Sequence, residues 1–243
     1  MKIRKQMLIA LTVICCSYGN LSAQNKVDSN KTLSAKQQSI IPIAAYTAIG
    51  ELQDLKSALN EGLDAGLTVN EIKETIVHLY AYCGFPRSIR GLQTFMEVID
   101  ERTVRGINDE MGAMASAVNN ESSKYEQGKE NLEILIGRPL IGPQKGYAAF
   151  APVIEIFLKE HLFADIFERD ILTFSERELV TISVLSSLGG VEPMLRSHLS
   201  ICLNLGFTPE QLNEFVEIIN STVGKKEAKD ALSVLNEVLE NRQ

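Results

Sequence analysis

Two groups of residues have the types and spacing for acid–base chemistry. The first centres on His198. On a helix its neighbours three, four and seven positions away are Val191, Met194, Leu195, Ile201, Cys202 and Leu205, so the imidazole sits in an apolar stripe where a solvated histidine would not be placed. Glu178 lies one helix upstream, and across an antiparallel helix pair its carboxylate could orient that ring. The plain alternative is a first-turn acidic residue favouring the helix dipole. The second group is Glu74, His78 and Tyr82, spaced i, i+4 and i+8. A carboxylate, an imidazole and a phenol in one row could hold and move protons, although spacing alone favours a solvated helix flank with an i, i+4 pair.

The elements that must position these groups read as helices. The row lies on a helix over 70–82 whose core face is Ile72, Ile76, Leu79, Tyr80 and Cys83. Gly84 and Pro86 then break or bend it before it resumes over 88–100. Such a break exposes backbone donors beside Arg87, an arrangement suited to an anion; otherwise Arg87 caps or pairs at the surface. Upstream are an apolar helix with Pro42 as a candidate kink and a helix over 52–63. The His198 helix stops at Gly206, and Thr208-Pro209-Glu210 supplies an N-cap hydroxyl, a proline at the first helical position and an acidic first turn. Its predecessor begins at Phe174, with Arg177 and Glu178 at its opening. A last helix from Lys225 turns Leu232, Leu235, Val238 and Leu239 inward.

The chain repeats itself. At a shift of 140, Gly50 falls on Gly190, Lys56 on Arg196, Gly66 on Gly206, Thr68 on Thr208, Glu74 on Glu214, Gly84 on Gly224 and Arg102 on Arg242, with no gap between them. A period of this length that recurs once implies a duplicated helical domain rather than a solenoid. The copies differ in chemistry: Ala58 stands where the second has His198, and Thr222 and Lys226 stand where the first has Tyr82 and Pro86. The expected organisation is a signal peptide over 1–23, a polar leader over 24–32 and a first repeat over 33–102. A connection of short helices and loops without a second core follows over 103–146, then an amphipathic segment over 147–173 and a second repeat over 174–243. In the amphipathic segment Phe150, Ile154, Phe157, Leu158, Leu162, Ile166 and Phe167 recur with helical period and must be covered by core or interface.

Lys2, Arg4 and Lys5, the apolar run from Met7 to Cys16 and the small-residue end Leu21-Ser22-Ala23 are the marks of a secretory signal. Periplasmic or secreted destination follows, with no stable membrane insertion after cleavage. Removing 1–23 takes away three basic and no acidic residues, so the formal charge falls from −7 to −10, which argues against nucleic acid as a partner. Only Cys83 and Cys202 then remain, both in apolar helix patterns, and buried structural thiols are the simplest reading. His161 and Glu160 have no second histidine at ligand spacing, so no metal is expected.

Taken together, "EIKETIVHLYAYCGFPRSIRGL" and "RELVTISVLSSLGGVEPMLRSHLSICLNLGFTPEQLNEF" resemble the two copies of an exported tandem form of the carboxymuconolactone decarboxylase family, through Leu-Arg-x-His, the Gly-x-Thr turn and Tyr-x-Gly-x-Pro. The resemblance implies an all-α bundle of two tandem repeats, homo-oligomeric, with a small-molecule site between repeats or subunits and no cofactor. Relatives of alkyl hydroperoxidase D use a Cys-x-x-Cys pair before the histidine, and Val191 and Met194 occupy those positions here, so peroxidase chemistry by that route is not expected. A decarboxylase needs a cation for the substrate carboxylate and a group that delivers a proton to carbon. The resemblance therefore assigns His198, with Glu178 and Tyr82, to catalysis, and Arg87, Arg196, His78 and Glu74 to substrate binding. Two other readings are a peroxide-reducing protein using Cys83 or Cys202 singly, and a small-molecule binding or scaffold protein without catalysis.

Overall fold

The computed structural model describes residues 31–117 and 122–242. The signal-peptide reading and nearly all of the leader lie outside them. The described residues contain helices and loops and no strand. The first repeat is built from α1 (Ala35–Ile49), α2 (Leu52–Asp64) and α3 (Val69–Val104). A connection carries α4 (Lys124–Ile136), the short α5 (Tyr147–Phe150) and α6 (Pro152–Phe157) and a π-helix (Leu158–Ile166), and the second repeat is α7 (Phe174–Leu188), α8 (Glu192–Asn204), α9 (Pro209–Thr222) and α10 (Lys225–Glu240).

Helix starts follow local chemistry. Ser34, Thr68, Thr173 and Thr208 each accept from the backbone N–H three residues on, while Gln37, Glu71, Glu176 and Gln211 reach back to the cap, forming reciprocal capping boxes. Pro42 neither breaks nor ends α1, which runs through it. α3 bends at Gly84, whose φ of 80° and ψ of 161° are non-helical; no Cβ opposes that conformation, and Pro86 restarts the helix with its fixed φ. Tyr82 is thereby left on the last turn before the bend.

α2 and α8 align at the 140-residue shift, as do the Thr68 and Thr208 caps. α1 and α7 align at 139 instead, because the linker from α7 to α8 is one residue longer than that from α1 to α2. The gapless match at 140 therefore holds from α2 and α8 onward and does not extend back to α1 and α7. The structural counterparts of Arg177 and Glu178 are accordingly Gln38 and Ser39.

The repeats interlock. α1 packs on α7, α3 of the first repeat packs on α7 of the second, and α1 packs on α9. A single core results, in which Ile40, Leu59, Ile76 and Leu79 meet Leu179, Ile182, Leu199 and Phe215, all of them inaccessible to solvent. At about 1.5–3 kcal/mol per fully buried aliphatic or aromatic side chain, this shared burial is the main force holding the two halves together.

Contrary to expectation, the connection does build a second, smaller core, in which Leu135 of α4 joins Leu162, Phe163, Ile166 and Phe167 against Ile201 and Leu205 of α8. α4 approaches the π-helix closely at Gly128, where a Cβ would meet the Lys159 carbonyl oxygen at 1.8 Å. The amphipathic segment is split: Leu162, Ile166 and Phe167 are covered, whereas Phe150, Ile154 and Phe157 face solvent. On α10 Leu235 and Val238 are buried, but Leu232 lies on the exposed side.

Candidate active site

α8 carries His198 on the face toward α7, one turn from Leu195 and Cys202, both buried. α7 carries Glu178 at the facing position with no solvent exposure. Capping at Thr173 makes Glu176 the first-turn acid, so Glu178 is not a dipole-favouring first-turn residue. Its Oε2 lies 2.7 Å from Nδ1 of His198. A carboxylate oxygen only accepts, so Nδ1 carries the hydrogen and Nε2 is the nitrogen left for chemistry. The His198 side chain keeps 14% of its surface exposed, and among the described residues no side chain is hydrogen-bonded to Nε2. Oε1 of Glu178 is buried without a partner.

The edge of Tyr82 faces this imidazole, with ring centroids 6.3 Å apart and planes at 77°. Burial, and then the Glu178 carboxylate, push the Tyr82 phenol far above its ordinary value, so it acts as a neutral O–H donor and not as a base. Behind it the row from α3 meets α7. His78 Nε2 lies 2.9 Å from Thr181 Oγ1, Thr181 Oγ1 is 3.1 Å from the Tyr82 hydroxyl, and Arg177 Nη1 approaches His78 Nδ1 at 3.3 Å. Glu74 accepts from Arg177 at 2.8 Å and from Arg169 through a two-pronged contact at 2.9 Å.

The solvated-flank reading of Glu74, His78 and Tyr82 is thus corrected. Glu74 and His78 are 2% and 0% exposed because their face of α3 is covered by the second repeat, which spacing within one helix does not reveal. His78 is held well below its usual range, first by desolvation and then by Arg177 and His198, so it is neutral. Enclosed and saturated by protein partners, His78 and Glu74 form the wall behind Tyr82. Arg177, Arg169 and Thr181 belong to the same cluster, and sequence reasoning assigned none of them to the site. The one available signal was Arg177 itself, a charge one turn inside an apolar helix.

The two arginines separate. Arg196 pairs with Glu237 on the surface, as its counterpart Lys56 pairs with Glu101; both are struts from the second helix of a repeat to its last, and Arg196 is not joined to the His198 cluster. Arg87 lies just past the bend with its guanidinium over Gly50, where a Cβ would collide with Nη1 at 1.5 Å. It forms no salt bridge among the described residues, and its charge is felt at Cys83. A surface groove of about 700 Å³, lined by Asn60, Asp64, Asp100, Glu101 and Arg102, lies away from His198.

Cys83 and Cys202 are free thiols. Burial raises both above the ordinary thiol value, Cys202 strongly so. Among the described residues there is no group of three or more His, Cys, Asp or Glu side chains arranged to hold a metal ion.

Where the second repeat has His198, Glu178 and the Glu74–Arg177 pair, the first has Ala58, Ser39 and a hydrogen bond from Gln38 to Glu214. The scaffold is kept and the histidine–carboxylate pair occurs at one of two related positions. A family model described as "Carboxymuconolactone decarboxylase family" matches residues 20–95 and 154–237, one stretch in each repeat. The chain belongs to the carboxymuconolactone decarboxylase family.

Within the family it is 28% identical over 123 residues to the 4-carboxymuconolactone decarboxylase of Acinetobacter baylyi, covering 50% of this chain and 91% of that protein. It is also 27% identical over 79 residues to an uncharacterized protein of Methanocaldococcus jannaschii, covering 32% of this chain and 74% of that one. This member pairs the histidine of its second repeat with a buried carboxylate and sets a tyrosine of its first repeat beside it.

Proposed function

We propose that this chain is a cofactor-free acid–base enzyme that decarboxylates, or isomerises, a small carboxylated lactone-like substrate. The supporting observation is the Glu178–His198 contact at 2.7 Å through Nδ1, which leaves Nε2 uncommitted: an oriented imidazole able to exchange a proton with something beside it. Likeness to the Acinetobacter baylyi decarboxylase suggests the substrate class.

In the decarboxylation, the bond between the ring carbon and the carboxylate carbon breaks and CO2 leaves. Its electron pair passes into a dienolate conjugated with the lactone carbonyl. The imidazolium Nε2–H then delivers a proton to carbon, and solvent returns a proton to the ring. Tyr82 donates a hydrogen bond to the enolate oxygen as charge develops there, and Arg87 holds the departing carboxylate before it leaves. Arg196, committed to Glu237, is outside this scheme. The raised thiols weigh against single-cysteine peroxide reduction, because the thiolate is the nucleophile.

We also place the mature protein outside the cytoplasm on the strength of residues 1–23, and read the exposed Phe150, Ile154 and Phe157 as a face covered in a homo-oligomer. The deciding experiment compares wild type with His198→Ala on a panel of γ-carboxy-γ-lactones, followed by CO2 release and loss of substrate. Turnover by wild type that falls by about 10²–10⁴ in the variant is expected. Equal turnover would dismiss the assignment, and ligand binding without turnover would favour a binding protein.

A further inference from the structure

We propose that Thr181 is a positioning residue whose hydroxyl turns between two settings and so frees the Tyr82 proton when a ligand acceptor arrives beside His198; this rests on the reading of Tyr82 as a donor in the site above.

The hydrogen inventory carries the inference. Thr181 Oγ1 has three neighbours within hydrogen-bond distance: the Arg177 carbonyl oxygen at 2.9 Å, His78 Nε2 at 2.9 Å and the Tyr82 hydroxyl at 3.1 Å. A threonine hydroxyl has one hydrogen and two lone pairs. The Arg177 guanidinium can only donate, so its contact with Nδ1 at 3.3 Å makes His78 the Nε2–H tautomer, and that N–H fills one lone pair of Thr181. One hydrogen and one lone pair remain for two partners. The Arg177 carbonyl can only accept, whereas the Tyr82 hydroxyl can accept or donate.

Two arrangements are open to these hydroxyls, the second completed only when a ligand supplies an acceptor for the Tyr82 proton. In the first, Thr181 donates to the Arg177 carbonyl and Tyr82 donates to Thr181, so the phenol's proton points into the protein. In the second, Thr181 donates to the Tyr82 oxygen, and the phenol's proton is released toward His198. The change is a rotation of two hydroxyls, with no proton transferred and no heavy atom displaced. The Arg177 carbonyl loses only the extra side-chain bond and keeps its place in α7. His78 and the Arg177–Glu74 pair hold the threonine oxygen still in both settings, which gives a buried and otherwise costly cluster a task in the site.

The test uses the mature chain carrying tyrosine labelled with ¹³C at the ring carbon that bears the hydroxyl, with the Tyr82 signal assigned through Tyr82→Phe. Thr181→Val keeps the shape of the side chain and removes its oxygen; Thr181→Ser keeps the oxygen. The expected result is that the Tyr82 resonance moves in Thr181→Val and stays in Thr181→Ser. His78→Gln should move it in the wild-type background and leave it in place in Thr181→Val. On a γ-carboxy-γ-lactone that wild type turns over, Thr181→Val should lower kcat about tenfold with KM within about twofold, and Thr181→Ser should restore it. A Tyr82 resonance unmoved by Thr181→Val overturns the inference, whatever happens to turnover. Failure of wild type to turn over any such lactone overturns the decarboxylase reading instead, and the resonance then decides the role of Thr181 without it.

Discussion

Nδ1 of His198 stands 2.7 Å from Oε2 of Glu178, a carboxylate wholly removed from solvent and twenty residues earlier in the chain. The pair ties α7 to α8 and leaves the other imidazole nitrogen uncommitted, on a side chain that is 14% exposed. Each partner therefore has a structural and a chemical share, and substitutions separate them.

Glu178→Gln keeps the shape and the acceptor oxygen but removes the charge opposite the imidazolium. Turnover of a carboxylated lactone should fall by about 10², with the folded state retained by circular dichroism. Unchanged turnover would sink the claim that the carboxylate supports proton transfer.

His198→Ala leaves Glu178 buried with neither oxygen partnered, since Oε1 already has none. Urea denaturation should register a loss of about 2–4 kcal/mol. Adding Glu178→Gln should recover part of that loss, because a neutral amide is cheaper to bury alone than a carboxylate. A double variant less stable than His198→Ala contradicts this account.

The Glu74–Arg177 pair is enclosed, with side chains 2% and 0% exposed, whereas its counterpart Gln38–Glu214 is neutral on one side and only partly buried. Arg177→Met should cost about 3 kcal/mol by removing one of the two arginines that hold the buried Glu74 carboxylate, Arg169 being the other, and Gln38→Ala no more than about 1.5 kcal/mol. Equal losses at the two places would contradict the asymmetry of the repeats.

Stability should depend on pH through His78. Folding depresses its pKa well below 6.5, so between the folded value and 6.5 the unfolded chain binds a proton that the folded chain refuses. This contribution is present in full above 6.5 and is lost as pH falls, at about 1.4 kcal/mol per unit. Comparing wild type with His78→Gln by urea denaturation at pH 5, 6 and 7 isolates it from the carboxylates. The difference between the two proteins should change across that range, and a constant difference would rule the histidine out.

Much of the fold was legible in the sequence because its signals are local. Caps at Thr68 and Thr208, the bend at Gly84 and the stop at Gly206 each depend on a few neighbouring residues, and the repeat declared itself through glycines at positive-φ positions that other residues rarely adopt. His198 was legible for a similar reason, since an imidazole in an apolar stripe is out of place on any helix. The one-residue difference between the α1–α2 and α7–α8 linkers was hidden, because a comparison resting on glycines and caps downstream of the linker does not register a slip before it.

What the sequence by itself determined is the set of helices, their duplication and the identity of the histidine. Only the tertiary structure decided that Glu74 and His78 are a buried wall, that Arg177 bridges those two while Thr181 links His78 to Tyr82, and that Arg196 is a surface strut. The reason is physical: helical periodicity states which side chains share a face, but whether that face meets water or another helix depends on packing between segments about 100 residues apart, and burial is what keeps His78 and Tyr82 neutral.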